Sequence, residues 1–195
     1  MLMVCAEQAR VETDLWGGRL ACPCCAGELG PWGRATARPV RGLGGGLRWL
    51  RPRRAICRAC RVTHVLLPDL CLLRRRDEVA VIGAALLAKV AGEGHRVIAR
   101  RLGVVEDTVR GWLRRFGRDA EQIRAHFVRW AFALDPELGP LAPAGTAFAD
   151  AMTAIGVACR AFVLRFGPQQ AWPLVARLSG GALLCQRTTA FAWVP

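Results

Sequence analysis

The chain has 195 residues, 53% of them apolar, which is enough for packed cores and argues against general disorder. Its formal net charge is +13, and residues 19 to 118 carry 21 basic against 7 acidic side chains. The N-terminal half is therefore expected to bind a polyanion, and the C-terminal half to serve packing or assembly. The longest apolar run, Val79 to Ala88, is too short to cross a bilayer, and no signal peptide is visible at the start. These features predict a cytoplasmic protein, in which paired cysteines favour metal over disulfides.

Residues 1 to 18 are predicted as a flexible lead-in with a short helix around 6 to 15. Residues 19 to 68 are predicted as a ribbon with strands near 34 to 41 and 47 to 56. A glycine-rich turn at 42 to 46 joins these strands, and a third strand spans 62 to 67. Pro52 is expected at a strand edge or bulge, because proline cannot donate to a ladder.

Two Cys-x-x-Cys pairs bracket the ribbon. The predicted metal ligands are Cys22, Cys25, Cys57 and Cys60. Two such turns brought together by a hairpin supply the four thiolates of a tetrahedral zinc site with no open position. Nine arginines and no acidic residue lie between positions 29 and 68, so no general base accompanies the site. We therefore expect a structural zinc, with His64 and Cys71 as alternative ligands.

Helical periodicity begins after Asp77, a candidate N-cap, and continues to about Val90. Two shorter helices are predicted at 95 to 102 and 106 to 117, with Gly103 ending the first in the left-handed conformation. Further helices are predicted at 119 to 134, 148 to 166 and within 169 to 178, with a Pro-rich linker at 135 to 143. The predicted fold is mainly α, with a small N-terminal β zinc ribbon (19 to 68), a helix-turn-helix core (74 to 118) and a helical C-terminal unit (119 to 195).

The second helix of the predicted helix-turn-helix has an apolar face and a basic face. Val109, Trp112, Leu113 and Phe116 follow helical spacing and are expected to pack inward. Arg110 is the candidate base-reading side chain, since a guanidinium can bridge O6 and N7 of guanine. The other predicted DNA-contacting residues are Asp107, Thr108, Gly111, Arg114, Arg115, Arg100, Arg101, Arg38 and Arg54, most of them as phosphate contacts.

The two cysteine pairs, the Arg-rich hairpin and the following helix-turn-helix resemble the N-terminal modules of insertion-sequence transposases. The whole chain resembles an uncharacterised actinobacterial family of the same layout that is associated with mobile elements. The resemblance implies sequence-specific DNA binding, with the four cysteines as zinc ligands and residues 107 to 115 in the recognition helix. It does not extend to a transposase catalytic domain, because the last 75 residues hold only Glu121, Asp135, Glu137 and Asp150 as acids.

The sequence thus predicts a non-enzymatic, nucleoid-associated protein that binds specific duplex DNA, either as a transcription regulator or as a site-recognition component of a mobile element. A transposase or integrase and a second copy of the chain are candidate partners; no membrane partner is expected. The alternative is an adaptor that grips DNA without sequence preference and recruits a transposase or integrase through its helical C-terminus. An RNA-binding ribbon protein is a third hypothesis.

Overall fold

The architecture comes from a computed structural model, which describes residues 1–185. Six strands precede most of the helices. The strands are β1 Leu2–Val4, β2 Leu29–Arg34, β3 Arg38–Arg41, β4 Leu47–Leu50, β5 Arg53–Cys57 and β6 Thr63–Pro68. The helices are α1 Gln8–Trp16, α2 Val79–Val90, α3 His95–Leu102, α4 Glu106–Arg118, α5 Ala120–Leu134, α6 Ala147–Phe166 and α7 Ala171–Leu178.

The N-terminal region is a mixed sheet, which corrects the predicted fold class. Four strands pair in the order β1-β6-β5-β2, with β1 parallel to β6 and the other pairs antiparallel. The described residues are 48% helix and 18% strand, and the sheet draws on residues 2–68. The prediction of a small zinc ribbon followed by an all-helical core was therefore wrong.

Part of this difference lies in the first 18 residues, predicted as a flexible lead-in. Strand β1 pairs with β6 through Leu2 and Leu66, and helix α1 packs Val11 and Leu15 onto the sheet. Val4, Val11 and Leu15 are buried in one cluster with Leu29. A three-residue strand has no readable period of its own, so its place in the sheet depends on β6, more than 60 residues away.

The strands predicted at 34 to 41 and 47 to 56 are each interrupted. Strands β3 and β4 form a separate two-stranded hairpin, and Pro52 lies between β4 and β5, where no ladder hydrogen bond is lost. At the hairpin tip, a 3-10 turn at Leu43–Gly45 uses Gly44 and Gly45 at φ of +80° and +82°. Glycine suits these positions because a side chain is strained there.

Helix α3 has the predicted bounds, α4 ends at Arg118, one residue beyond the predicted 117, and the turn between them is the predicted one. Gly103 adopts φ 62° and ψ 34°, which is the predicted left-handed conformation at the end of α3. Val109, Trp112 and Phe116 of α4 are buried, as is Ile98 of α3, so the predicted apolar face is confirmed. On the opposite face of α4, Arg110 and Arg114 are exposed.

Helices α5, α6 and α7 form one core with α2, α3 and α4. Helix α6 packs along α5, and α7 packs against α2, where the indole of Trp172 covers Gly83. By length and composition alone α6 is apolar enough to cross a membrane, yet seven of its side chains are buried within this core. The last ten residues of the predicted C-terminal unit lie outside the described residues.

Candidate metal centre and arginine-lined cleft

The two cysteine pairs lie in turns of the same geometry. In the first, the N–H of Cys22 donates to the carbonyl of Gly27 (2.8 Å) and the N–H of Ala26 donates back to the carbonyl of Cys22 (2.8 Å). In the second, Cys57 N–H donates to the Val62 carbonyl (3.0 Å), and the N–H of Arg61 donates back to the carbonyl of Cys57. Both turns contain one left-handed residue, Ala26 at φ 59° and its counterpart at φ 61°.

This geometry brings all four predicted ligands together. The four sulfurs of Cys22, Cys25, Cys57 and Cys60 lie within 4.8 Å of one another. Cys22 Sγ is 3.7 Å from Cys60 Sγ, and Cys25 Sγ is 3.5 Å from Cys57 Sγ. A tetrahedron with metal–sulfur bonds of about 2.3 Å has sulfur–sulfur edges of about 3.8 Å. The four cysteines therefore can form a metal site, and these sulfur–sulfur distances fit tetrahedral coordination of one ion.

Backbone amides also favour thiolates at this cluster. The N–H of Cys24 points at Cys22 Sγ and that of Cys60 at Cys57 Sγ, each at 3.4 Å. Burial opposes ionisation of Cys22, but the amides of Cys24 and Cys25 and the neighbouring thiols lower its pKa to about 6. The N–H of Val62 favours the Cys60 thiolate, yet the surrounding sulfurs and burial raise the pKa of that thiol to about 12. The N–H of Cys60 also lowers the pKa of Cys57, so two thiols of the cluster ionise more readily than a free cysteine while Cys60 resists ionisation.

Gly27 allows the two turns to approach. A Cβ at this position would lie 2.9 Å from Cβ of Ala59 and 3.2 Å from Cys57 Sγ, both belonging to the opposite turn. Any larger residue would push the two halves of the cluster apart.

The two alternative ligands lie in different places. His64 is buried, and its Nε2 is 3.3 Å from Cys22 Sγ, so Cys22, Cys24 and His64 form a second candidate group that shares one cysteine with the first. Cys71 instead packs with Val40 and Leu67, away from both groups of candidate ligands, and burial raises its pKa to about 11.

A second feature is a cleft of about 560 Å³ between α4 and the segment before α2. Six of the predicted DNA-contacting residues line it: Asp107, Thr108, Arg110, Gly111, Arg114 and Arg115. The other four do not line it: Arg38 and Arg54 lie on strands of the N-terminal region, while Arg100 and Arg101 lie on α3. Arg54 instead donates to the Thr63 hydroxyl (3.2 Å), and Arg101 pairs with Glu93 (3.2 Å).

Four arginines of this cleft were missed by sequence reasoning. Arg74, Arg75 and Arg76 precede α2, and Arg41 comes from strand β3. The run of three arginines was a usable signal, but its position opposite α4 arises only from the tertiary fold. Asp77, predicted as a helix cap, is instead buried beside Arg41, and α2 begins at Val79.

The cleft has a large excess of positive charge. Seven arginines line it, and its two carboxylates are each paired with one of them, Asp77 with Arg41 (3.7 Å) and Asp107 with Arg110 (2.9 Å). Burial, followed by the nearby charges of Arg115 and Arg74, lowers the pKa of Arg75. Like charges held this close repel, and an anion between them would relieve that repulsion.

A profile for a family described as a domain of unknown function (DUF6431) matches residues 22–112. The matched segment begins at Cys22, the first candidate ligand, and ends within α4, so it contains all four cysteines and most of the cleft. No curated protein and no solved structure matches the chain. The similarity therefore marks the cysteine cluster and the α3–α4 pair as parts of one unit, without assigning an activity.

Proposed function

We propose that this protein is a sequence-specific, double-stranded DNA-binding protein with a structural zinc, acting as a transcription regulator or as a site-recognition component of a mobile element. The observation that carries the proposal is the arginine-lined cleft. Seven guanidiniums against two paired carboxylates favour a polyanion, and the phosphate backbone of DNA is one.

In this proposal α4 is the recognition helix of a helix-turn-helix and lies in the major groove. Arg110 projects from its exposed face and reads guanine, while the arginines at 74 to 76, 114 and 115 hold phosphates. Gly111 has no side chain, so the flexible Arg115 is what covers the helix at this point: its Nη1 would lie 2.8 Å from a Cβ added at Gly111. Arg115 can move aside, and DNA can then approach the helix backbone closely.

Asp107 lies near the start of α4, where an acid would repel DNA. Its carboxylate is 2.9 Å from Arg110 Nη2, one helical turn away. The pair presents no net negative charge, and it holds the guanidinium at the exposed end of the helix. DNA binding would exchange this ion pair for contacts to a base, and an exposed pair of this kind costs little to break.

The cysteine cluster would hold zinc through Cys22, Cys25, Cys57 and Cys60. A zinc ion with four thiolates has no open position, so its contribution would be to join the two turns and stabilise the sheet. The residues themselves supply the left-handed turns and the amide donors that prepare the site. A non-enzymatic role and a cytoplasmic, nucleoid-associated location follow from this proposal.

The second candidate is the adaptor, which grips DNA without sequence preference and recruits a transposase or integrase. Exposed apolar side chains on the C-terminal helices favour it: Leu164 is 74% and Phe166 57% exposed at the end of α6. The same surface also suits a second copy of this chain.

Selection from a random duplex DNA library separates the two candidates. The zinc-loaded protein is compared with Arg110→Ala and with Arg160→Ala, which removes the same charge from an exposed position of α6 outside the cleft. An enriched motif that is lost only in Arg110→Ala supports sequence-specific binding. Retention of DNA without a motif favours the adaptor, and no retention at all contradicts both.

A further inference from the structure

The hairpin formed by β3 and β4 has two unlike faces. Its register places Arg41 opposite Leu47 and Pro39 opposite Trp49, so these four side chains share one face. The alternate residues face the other way, where Val40 is fully buried and packs with Leu67 and Cys71. We call the face of Pro39, Arg41, Leu47 and Trp49 the outer hairpin face.

The outer hairpin face is apolar and open. Leu47 is 66% exposed and Trp49 is 70% exposed. Burial of apolar surface is favourable, so a partner that covers the exposed leucine and tryptophan of this two-stranded ribbon would gain binding free energy from them.

This face is continuous with the arginine-lined cleft. Arg41 lines the cleft with α4 and is also a member of the outer hairpin face. The hairpin is held in place at this point, because Arg41 N–H donates to the carbonyl of Arg76 (2.9 Å) and its guanidinium donates to the carbonyl of Gly103 (3.1 Å). The hairpin tip contacts α3. The cleft thus runs between α4 and the segment before α2, and the hairpin meets it at Arg41.

Resting on the proposed function, we infer that the outer hairpin face is a second DNA-reading element, which lies in the minor groove beside the major groove occupied by α4. The two grooves of a duplex are separated by one phosphate backbone. The arginines at 74 to 76 line the cleft with α4 and adjoin the hairpin through the hydrogen bond from Arg41 N–H to the carbonyl of Arg76, so they are placed to hold that backbone. If α4 lies in the groove on one side of this phosphate backbone, the outer hairpin face lies in the groove on the other side.

The chemistry of the outer hairpin face fits the minor groove. Proteins that bind there insert apolar side chains such as leucine at base steps, with arginine beside them, and bend the duplex. Leu47 and Trp49 supply the apolar surface, and the arginines of the adjoining cleft supply the neighbouring charge. At the glycine-rich tip, a Cβ at Gly44 or Gly45 would meet no described atom within 4 Å, so the side of the tip turned away from α3 is open for a groove about 6 Å wide.

The test uses the double variant Leu47→Ala/Trp49→Ala of the zinc-loaded chain and a duplex cloned from the bound pool of the selection. The matched control is Trp16→Ala/Leu87→Ala, which removes a tryptophan 70% exposed and a leucine 53% exposed that lie outside the cleft, the hairpin and the apolar end of α6. Affinity is measured as a function of salt, and the complex is mapped by hydroxyl-radical footprinting. Circular dichroism checks that each variant is folded.

We expect Leu47→Ala/Trp49→Ala to bind about tenfold more weakly, as for loss of an aromatic contact to a base. Its salt dependence should equal that of the wild type, because no charge is removed. The footprint should lose its minor-groove flank while the control keeps it. Equal affinity and an unchanged footprint would overturn the inference and leave the proposed function standing. Failure of the wild type to retain any duplex would overturn both.

Discussion

The guanidinium of Arg41 donates to the backbone carbonyl of Gly103 across 3.1 Å, joining strand β3 to the turn between α3 and α4. The same side chain is 3.7 Å from the buried carboxylate of Asp77. One residue therefore connects the hairpin, the arginine segment before α2 and the helix pair. This side chain adds to the backbone hydrogen bonds of Arg41 with Arg76 and Glu78, which also hold the hairpin against that segment.

Replacing Arg41 with alanine should lower the free energy of unfolding by about 1–3 kcal/mol, because it removes a charged hydrogen bond and leaves Asp77 buried without its partner. Urea unfolding gives the value. Arg48→Ala is the matched control, since its pair with Glu78 is solvent-exposed on the arginine side and should contribute less than about 1 kcal/mol. Equal effects of the two substitutions would show that Arg41 does not join the hairpin to the arginine segment and the α3–α4 pair.

The metal site predicts one zinc per chain, seen by native mass spectrometry. Cys25→Ser and Cys60→Ser should abolish it, whereas Cys24→Ser should keep it if the four-cysteine group holds the ion. Structural zinc contributes about 10–16 kcal/mol in small peptides, more than the whole stability of many domains, so metal removal should unfold the turns around it. Loss of zinc in Cys24→Ser with retention in Cys60→Ser would instead assign the group that contains His64.

Alanine should have opposite effects on stability at two helical glycines. A Cβ at Gly83 would lie 1.9 Å from Cε2 of Trp172, so Gly83→Ala should displace the indole and cost about 1–3 kcal/mol or more. A Cβ at Gly156 in α6 would meet no described atom within 4 Å, so Gly156→Ala should stabilise by up to about 1 kcal/mol through helix propensity. Thermal unfolding of both variants checks the signs. If Gly83→Ala leaves the stability unchanged, the indole of Trp172 does not lie against Gly83.

Buried His126 should make stability depend on pH. Burial, with a smaller effect of the Arg129 charge, lowers the pKa of His126 below its ordinary 6.5, although the carbonyl of Leu178 partly opposes this. The folded protein then binds this proton less readily than the unfolded chain does. The contribution to stability is present above about pH 6.5 and is lost as the pH falls below that value.

The change is measured as the difference in urea midpoint between wild type and His126→Gln, from about pH 7.5 down to about pH 5.5, a range that spans the ordinary histidine pKa. Acid should destabilise the wild type more than the variant. Asp69 and Asp77 titrate in both proteins and cancel in this difference. If the urea midpoints of the two proteins change equally with pH, His126 does not contribute to the pH dependence of stability.

The sequence predicted those features that local patterns determine. The bounds of α3, the left-handed Gly103 and the buried face of α4 follow from spacing over a few residues, and the four cysteines meet because each pair forms its own turn. The features that were missed depend on distant partners. Strand β1 is defined by its pairing with β6, and Arg41 and Arg74 meet α4 only after the sheet packs on the helices.

The measurement that tests the central claim most directly is the salt dependence of duplex affinity for three proteins. These are the wild type, the cleft variant Arg74→Gln/Arg76→Gln, and the control Arg160→Gln. The wild-type affinity should fall steeply with salt, the cleft variant should flatten the slope by about two units, and the control should leave it unchanged. Identical slopes for the cleft variant and the wild type would contradict the account, because the arginine-lined cleft would then hold no DNA phosphates.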